Sequence, residues 1–385
     1  MNAGRPTGGA GVRIGAVARK EFIHVGRDPR LLAVVLIMPV IQLLLFAYAI
    51  SFDVRNLPTI VVDLDHTPDS AAYLRAYEAS GLFDVTGHGA DLSAVDTAFD
   101  RNEARVAVVV PAGFAASLAR GEQAQVGVFV DGSEPNSARV AQTYSMALNQ
   151  LYGRALAVEW ASTQGVDIGQ IGLVEPRLRT WYNPDRASSI FLVPGLMVVI
   201  IMIVTAQQTA VTLVREREQG TAEQLMVSPL RRIELMIGKL TPWVIMAFLD
   251  IVVIAVLGVI LFGVPMRGDP VALAVGATLF VASCLGIGLI VSAVAPSLDT
   301  ANMAAFLVAF LPAFLLSGFA FALDQIPPVL EWISRLFPAR YMVTISRSVL
   351  LKGAGFPEVW PQVAALAAYA LISLLIAVRL HGRRA

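Results

Sequence analysis

Long apolar runs alternate with one extended polar stretch, and this pattern alone divides the chain. A helix crossing a hydrocarbon core of about 30 Å needs about 20 predominantly apolar residues at roughly 1.5 Å each. Segments 31–52, 190–214, 240–262, 271–294 and 303–323 meet that length, and 361–378 is a shorter sixth that ends in Arg379, a side chain able to reach back to the interface. Pro39, Pro194, Gly195, Gly286, Gly288, Pro312 and Gly318 fall inside these runs. They would break soluble helices, whereas membrane helices tolerate them.

Between 53 and 189 the pattern changes to short β-branched runs separated by helical periodicity, as in an α/β unit. Strands are expected at 58–63, 82–86, 105–110 and 125–130, with helices at 69–80, 92–103, 112–120 and 137–162. The expected fold is a polytopic α-helical membrane protein with six transmembrane helices and an α/β extracytoplasmic domain inserted between the first and second. Basic residues before the first run and the small-x-small Ala47-Tyr48-Ala49 also fit a cleaved leader. The run exceeds a usual leader core, which favours a retained span.

Orientation follows the basic residues near the spans. Residues 1–30, 215–239 and 379–385 are rich in Lys and Arg, so they and both termini are expected on the cytoplasmic side. Segment 324–360 fits less well, because Arg335, Arg340, Arg347 and Lys352 then lie outside. Of the 385 residues, 56% are hydrophobic and 15% charged, and mean hydropathy is +0.67. These values exclude a wholly soluble or disordered chain. The net charge of zero excludes a basic nucleic-acid binder. That zero hides an asymmetry: the cytoplasmic pieces hold 14 basic against 7 acidic residues, and segment 53–189 holds 10 against 17.

Cys284 is the single cysteine, so no intrachain disulfide forms. No G-x-x-x-x-G-K-[ST] occurs, since Gly238-Lys239 is followed by Leu240, and neither H-E-x-x-H nor G-x-S-x-G is present. The chain is therefore expected to bind no cofactor or metal and to hydrolyse nothing itself. Asp63, Asp65 and Asp69 cluster after the first strand, but as a strand-to-helix loop and not a metal site, and His66 and His88 read as surface residues. Gln207 and Gln208 read as interhelical contacts. Asp250 is the one clear ionisable residue at membrane depth, functional or a structural hydrogen-bonding group.

The most informative stretch is 215–239. It opens with alternating charges, bends at Gly220, offers the capping-box pattern Thr221-Ala-Glu-Gln224 and then a short helix that Pro229 stops. Residues 12–27 place Ile14, Val17, Ala18, Phe22 and Val25 on one helical face, interrupted by Glu21, as in an interfacial amphipathic helix.

The R-E-x-E-x-G-T-x-E-Q-L-x-V-x-P-L pattern from Arg215 and the G-K-L-x-P-W pattern from Gly238 to Trp243 closely resemble the membrane permeases of ABC type-2 exporters, in the drug-efflux subgroup with a large domain after the first span. Lys20-Glu21 with Arg27-Asp28-Pro29-Arg30, the run from Phe46 to Pro58, Phe337-Pro-Ala-Arg-Tyr341 and Gly353 extend the resemblance to essentially the whole chain. Ala47 stands where the family often has glycine. The resemblance implies a permease subunit that moves a hydrophobic or amphipathic substrate outward, pairs with a second permease copy and is driven by a separate ABC ATPase subunit using ATP and Mg. It implies a coupling helix built on Arg215, Glu216, Glu218, Gly220, Thr221, Glu223, Gln224, Leu225 and Pro229. Asp250, Phe310 and Phe314 are candidates for a translocation cavity, with core packing an equal account of the two phenylalanines. The expected layout is an interfacial helix in 1–30, a first span at 31–52, the external domain at 53–189, a five-helix region at 190–378 with a re-entrant segment at 324–360, and a tail at 379–385. A periplasmic adaptor is left open as a partner. The alternative is a membrane-anchored sensor whose external domain binds a ligand and whose loop docks a partner other than an ATPase.

Overall fold

The computed structural model describes residues 9–49, 56–163, 181–184, 187–218 and 232–383. The chain divides into two compact units, Phe52–Arg179 and the remainder.

The larger unit is helical. Helices α1 (Ala10–Arg27) and α2 (Pro29–Ala49) are bent by 71° at Asp28. Pro29 disfavours helical geometry in the residue before it, and Asp28 is extended at φ −102°, ψ 91°. The rest of the large unit comprises α7 (Ser188–Glu218), α8 (Arg232–Phe262), α9 (Pro270–Val294), α10 (Leu298–Leu315), α11 (Pro328–Ser334), α12 (Pro338–Lys352) and α13 (Phe356–Arg383). Among the described residues, five helices are long and apolar enough to cross a membrane, or six if the bent α1–α2 pair counts as one span.

Helix α7 is the axle. Its apolar stretch is 78% buried, against 28% for α8 and α13 and 22% for α10, and it packs against α2, α8, α9, α10 and α12. A helix apolar on all sides can be covered in this way without leaving a polar face stranded. Small residues set the spacing. Ala301, Ala305, Ala309 and Ala313, four apart along α10, are fully buried, and α10 packs on α7. On α9, a Cβ at Gly288 would stand 2.6 Å from the Ala206 carbonyl oxygen of α7, and one at Gly286 would stand 2.6 Å from Ser373 Cβ of α13.

Three expected boundaries need correction. The run 303–323 is not one helix: Ser297 caps α10 from the amide of Thr300, and the helix stops at Leu315. Beyond it, Gly318 adopts φ 85°, which ends helical geometry. The run expected from 240 begins at Arg232, which brings Glu234 and Lys239 into α8, and the last helix begins at Phe356 and not at 361. Within 324–360, where a re-entrant segment is expected, α12 packs into the helical core. Ala339, Met342, Val343, Ile345, Val349 and Leu350 are buried, and α12 packs against α7, α9 and α13.

Three of the four basic residues that fitted the charge pattern poorly have local partners. Arg335 and Arg340 lie 3.0 and 3.5 Å from Glu331, and their cations hold its carboxyl below the usual range. Arg347 donates to the carbonyls of Gly318 (2.7 Å) and Phe319 (3.3 Å) and lies over the Phe191 ring at 3.7 Å.

The smaller unit is an α/β sandwich: β1 (Leu57–Asp63), α3 (Pro68–Ala79), β2 (Phe83–Gly89), α4 (Leu92–Asp100), β3 (Val106–Val110), α5 (Phe114–Ala119), β4 (Gly127–Val130) and α6 (Pro135–Thr163). The sheet order is β2-β1-β3-β4, with β1 parallel to β2 and β3, and β4 antiparallel to β3. Every residue of β3 is buried, as a parallel strand covered on both faces requires. Leu57, Val61, Val106 and Val108 pack with Tyr73, Tyr77 and Phe114, while Ile60, Val62, Ala107 and Val109 pack with Val95 and Ala98 of α4.

The acidic loop after β1 is structural. Asp63 Oδ1 accepts from the amides of Asp65 and His66, and Asp65 accepts from Thr67 Oγ1 and the amides of Gly113 and Ala115. Among the described residues no cluster of three or more His, Cys, Asp or Glu could hold a metal. His66 and His88 are exposed.

Candidate coupling site

Segment 215–239 leaves one helix and enters another. Residues 219–231, which carry Gly220, Thr221, Glu223, Gln224, Leu225 and Pro229, lie outside the described residues. Both stems of the segment are described, and each is tied into the helical unit.

On the α7 stem, Arg217 Nη2 donates to the Ala295 carbonyl, and Glu218 Oε1 accepts from the Leu298 amide at 2.8 Å. Glu218 thereby satisfies a free amide at the start of α10, where a negative charge is favoured. Glu216 pairs with Lys239 of α8, whose side chain is only 1% exposed. Arg215 is half-buried.

On the α8 stem, Glu234 receives both Nε (2.9 Å) and Nη2 (2.5 Å) of Arg13 on α1, a forked geometry that fixes direction as well as distance. Next to it, α1 lies directly on α8: a Cβ at Gly238 would stand 2.7 Å from Val17 Cβ and 3.0 Å from the Ile14 carbonyl oxygen. The apolar face expected for α1 is the one that packs, with Ala18 and Val25 buried. Glu21, which interrupts that face in the sequence, is buried as well, 2.8 Å from Lys20, and its charge also acts on Lys239.

The stems of one short segment are thus joined by charged groups to α1, α8 and the α9–α10 turn. These ties leave residues 216–218 and 234–239 bonded in specified directions to neighbouring helices. The Lys239–Glu216 and Arg13–Glu234 pairs were not singled out in the sequence. Their signal was charge retained inside an otherwise apolar helix, at Glu234 and Lys239.

The cavity candidates are distributed differently. Asp250 on α8 is 2% exposed, and its Oδ2 has no hydrogen-bond partner among the described residues. Phe310 and Phe314 are half-buried in an aromatic ladder along α10, with centroid distances of 5.1 Å (Phe306–Phe310), 5.4 Å (Phe310–Phe314) and 5.4 Å (Phe314–Phe319), packed against the main helical core. Gln207 Nε2 donates to Asn302 Oδ1 at 3.0 Å, a bond between α7 and α10.

The model of the family described as "ABC-2 family transporter protein" matches residues 29–379. The chain belongs to the ABC-2 transporter family. This ABC-2 permease is 31% identical over 353 residues to the probable multidrug ABC transporter permease YbhS of Escherichia coli, covering 89% of each chain. It is 27% identical to the probable multidrug ABC transporter permease YbhR of the same organism, over 90% of this chain and 92% of that one. It is also 23% identical to ABC transporter G family member 20 of Dictyostelium discoideum, over 94% of this chain and 50% of that protein. With its apolar helices, the ABC-2 permease is a multi-pass membrane protein and a transport subunit, not an enzyme.

Proposed function

We propose that this permease exports a hydrophobic or amphipathic compound from the cytoplasm or inner leaflet, driven by a separate ABC ATPase that uses ATP and Mg. Two permease copies form the pathway. Segment 219–231, with Glu223 at its centre, is the part the ATPase grips. Both termini and this segment are cytoplasmic, α1 lies along the inner membrane surface, and the α/β unit is extracytoplasmic, open to contact with a periplasmic adaptor.

The observation that carries this proposal is the set of charged ties at the two stems of 219–231. Arg217 and Glu218 hold the α9–α10 turn, Glu216 holds Lys239, and Glu234 holds Arg13. A solvated turn needs no such anchoring, whereas a segment that transmits motion does. The named relatives, probable multidrug permeases, support the cargo class.

Glu223→Arg tests the assignment. In reconstituted vesicles with the ATPase subunit, the variant should still insert and copurify as a permease but lose transport and substrate-stimulated ATP hydrolysis. Unchanged transport would remove segment 219–231 from the coupling role. Copurification with a partner other than an ATPase would favour the sensor alternative.

A further inference from the structure

The smaller unit holds a cleft of about 700 Å³ between α3, α5, α6 and the 121–126 connection. That volume lies within the range of small-molecule sites. Its walls are the rings of Tyr73, Phe114 and Tyr152 with the side chain of Leu156. Tyr73 lies 5.7 Å from Phe114 and 5.1 Å, edge to face, from Tyr152. The base is fixed by one acceptor, since Asn149 Oδ1 receives the hydroxyls of Tyr73 (2.5 Å) and Tyr77 (3.0 Å). The aromatic wall is therefore held in place before any ligand arrives.

The charged side chains that line the cleft among the described residues are all acidic. Asp69, Glu122 and Glu159 line it, and among the described residues no Lys, Arg or His does. Glu122 is partly offset by Arg120 at 2.7 Å. Asp69 and Glu159 have no ion-pair partner among the described residues, and after burial both push the pKa of the Tyr152 hydroxyl above its ordinary value, so their fields reach the cleft. Arg75 acts against them there. An apolar, aromatic, preformed cleft with a negative mouth is complementary to a cation carried on a hydrophobic body.

The geometry points to a binding site in the α/β unit for an amphipathic organic cation, its apolar body against Tyr73, Phe114, Tyr152 and Leu156 and its charge beside Asp69 and Glu159. Nothing in this site depends on ATP or on segment 219–231.

The probe is tetraphenylphosphonium, measured by equilibrium dialysis against the full-length chain in zwitterionic nanodiscs without nucleotide, with empty nanodiscs subtracted. Wild type should bind one equivalent more than Gly153→Trp, which fills the cleft from α6 at a position where an added Cβ meets nothing within 4 Å. Asp69→Asn/Glu159→Gln should weaken binding and flatten its dependence on salt. Tyr152→Leu should weaken it by about 2- to 30-fold, the worth of a cation–π contact. Neutral triphenylphosphine oxide should show no difference between wild type and the Asp69/Glu159 variant. The carboxylates are exposed, so their amides leave the fold intact, which circular dichroism checks. Equal binding by wild type and Gly153→Trp, or an Asp69/Glu159 variant as avid as wild type, overturns the proposal. Because transport is not the readout, that failure is distinct from loss of ATPase coupling.

Discussion

The Lys239–Glu216 pair gives the sharpest energetic test of the site. Glu216→Gln leaves the Lys239 ammonium, 1% exposed, without its counter-charge. Stranding such an ion costs about 3–5 kcal/mol. Glu21 also acts on Lys239 and places the expectation at the lower end of that range. Lys239→Met removes the buried charge and keeps the side-chain length, while Glu216 retains 18% exposure to water. That single change should cost about 1 kcal/mol or less, and the double variant should lie within about 1 kcal/mol of wild type, because it leaves no buried charge and the amide of Glu216→Gln keeps the partial exposure of the carboxylate it replaces. The cycle then yields an interaction energy of about 2–3 kcal/mol. Unfolding free energies of the purified chain, from titration of dodecylmaltoside micelles with dodecylsulfate, measure it. If the two single effects add to the double within about 0.5 kcal/mol, the pair does not hold α7 to α8 and the tie described at this stem is absent.

Gly238→Ala should force α1 off α8 at a cost of about 1–3 kcal/mol, since the added methyl meets the Ile14 backbone, and a cysteine pair at positions 13 and 234 should then lose its crosslink. Asn149→Ala should destabilise the α/β unit by about 1–3 kcal/mol, because the buried Tyr73 and Tyr77 hydroxyls lose their shared acceptor; near-UV circular dichroism during thermal unfolding reads the shift. Asp65 is held below the ordinary carboxylate range chiefly by the Thr67 hydroxyl and then by the Ala115 amide, and Asp91 by the Ser93 hydroxyl and the Ala94 amide. Both folded values lie below the unfolded ones, so their stabilisation is complete above about pH 4 and fades as pH falls through the folded values. An acid titration of the Asp65→Asn chain should therefore show a shallower loss below about pH 4 than wild type.

Much of the α/β unit was legible because its signals are local. β-branched runs gave the four strands, and at the helix starts the Thr67 and Asp91 side chains accept hydrogen bonds from amides within three residues, while Pro68 opens α3 with its fixed φ. The apolar runs were equally plain, but their ends were not. Leu316–Leu323 reads as a continuation of α10 in composition, and only the backbone turn at Gly318, clamped by Arg347 from α12, shows that it stops. Helix α12 was harder still, because its polar residues are satisfied by other elements: Ser346 Oγ donates to the Pro194 carbonyl, 152 positions away in sequence. Segment 215–239 stood out by its motif, while the anchoring of its stems did not. Arg13 and Glu234 are 221 residues apart, and no periodicity links them.

Helix α7 has a consequence for how such a transporter can change. It is one rod of 31 residues, about 46 Å long, with nearly all its circumference occupied by five neighbours. A new side chain there must be accommodated by several helices at once, so single substitutions are filtered out before they can alter selectivity. The outward faces of α8, α10 and α13 carry no such constraint. In a laboratory selection for altered cargo, accepted changes should therefore collect on those faces and in the cleft of the α/β unit. Along α7 they should arise only in compensating pairs, such as Gly195 with Phe319, whose ring atom would stand 2.5 Å from an added methyl.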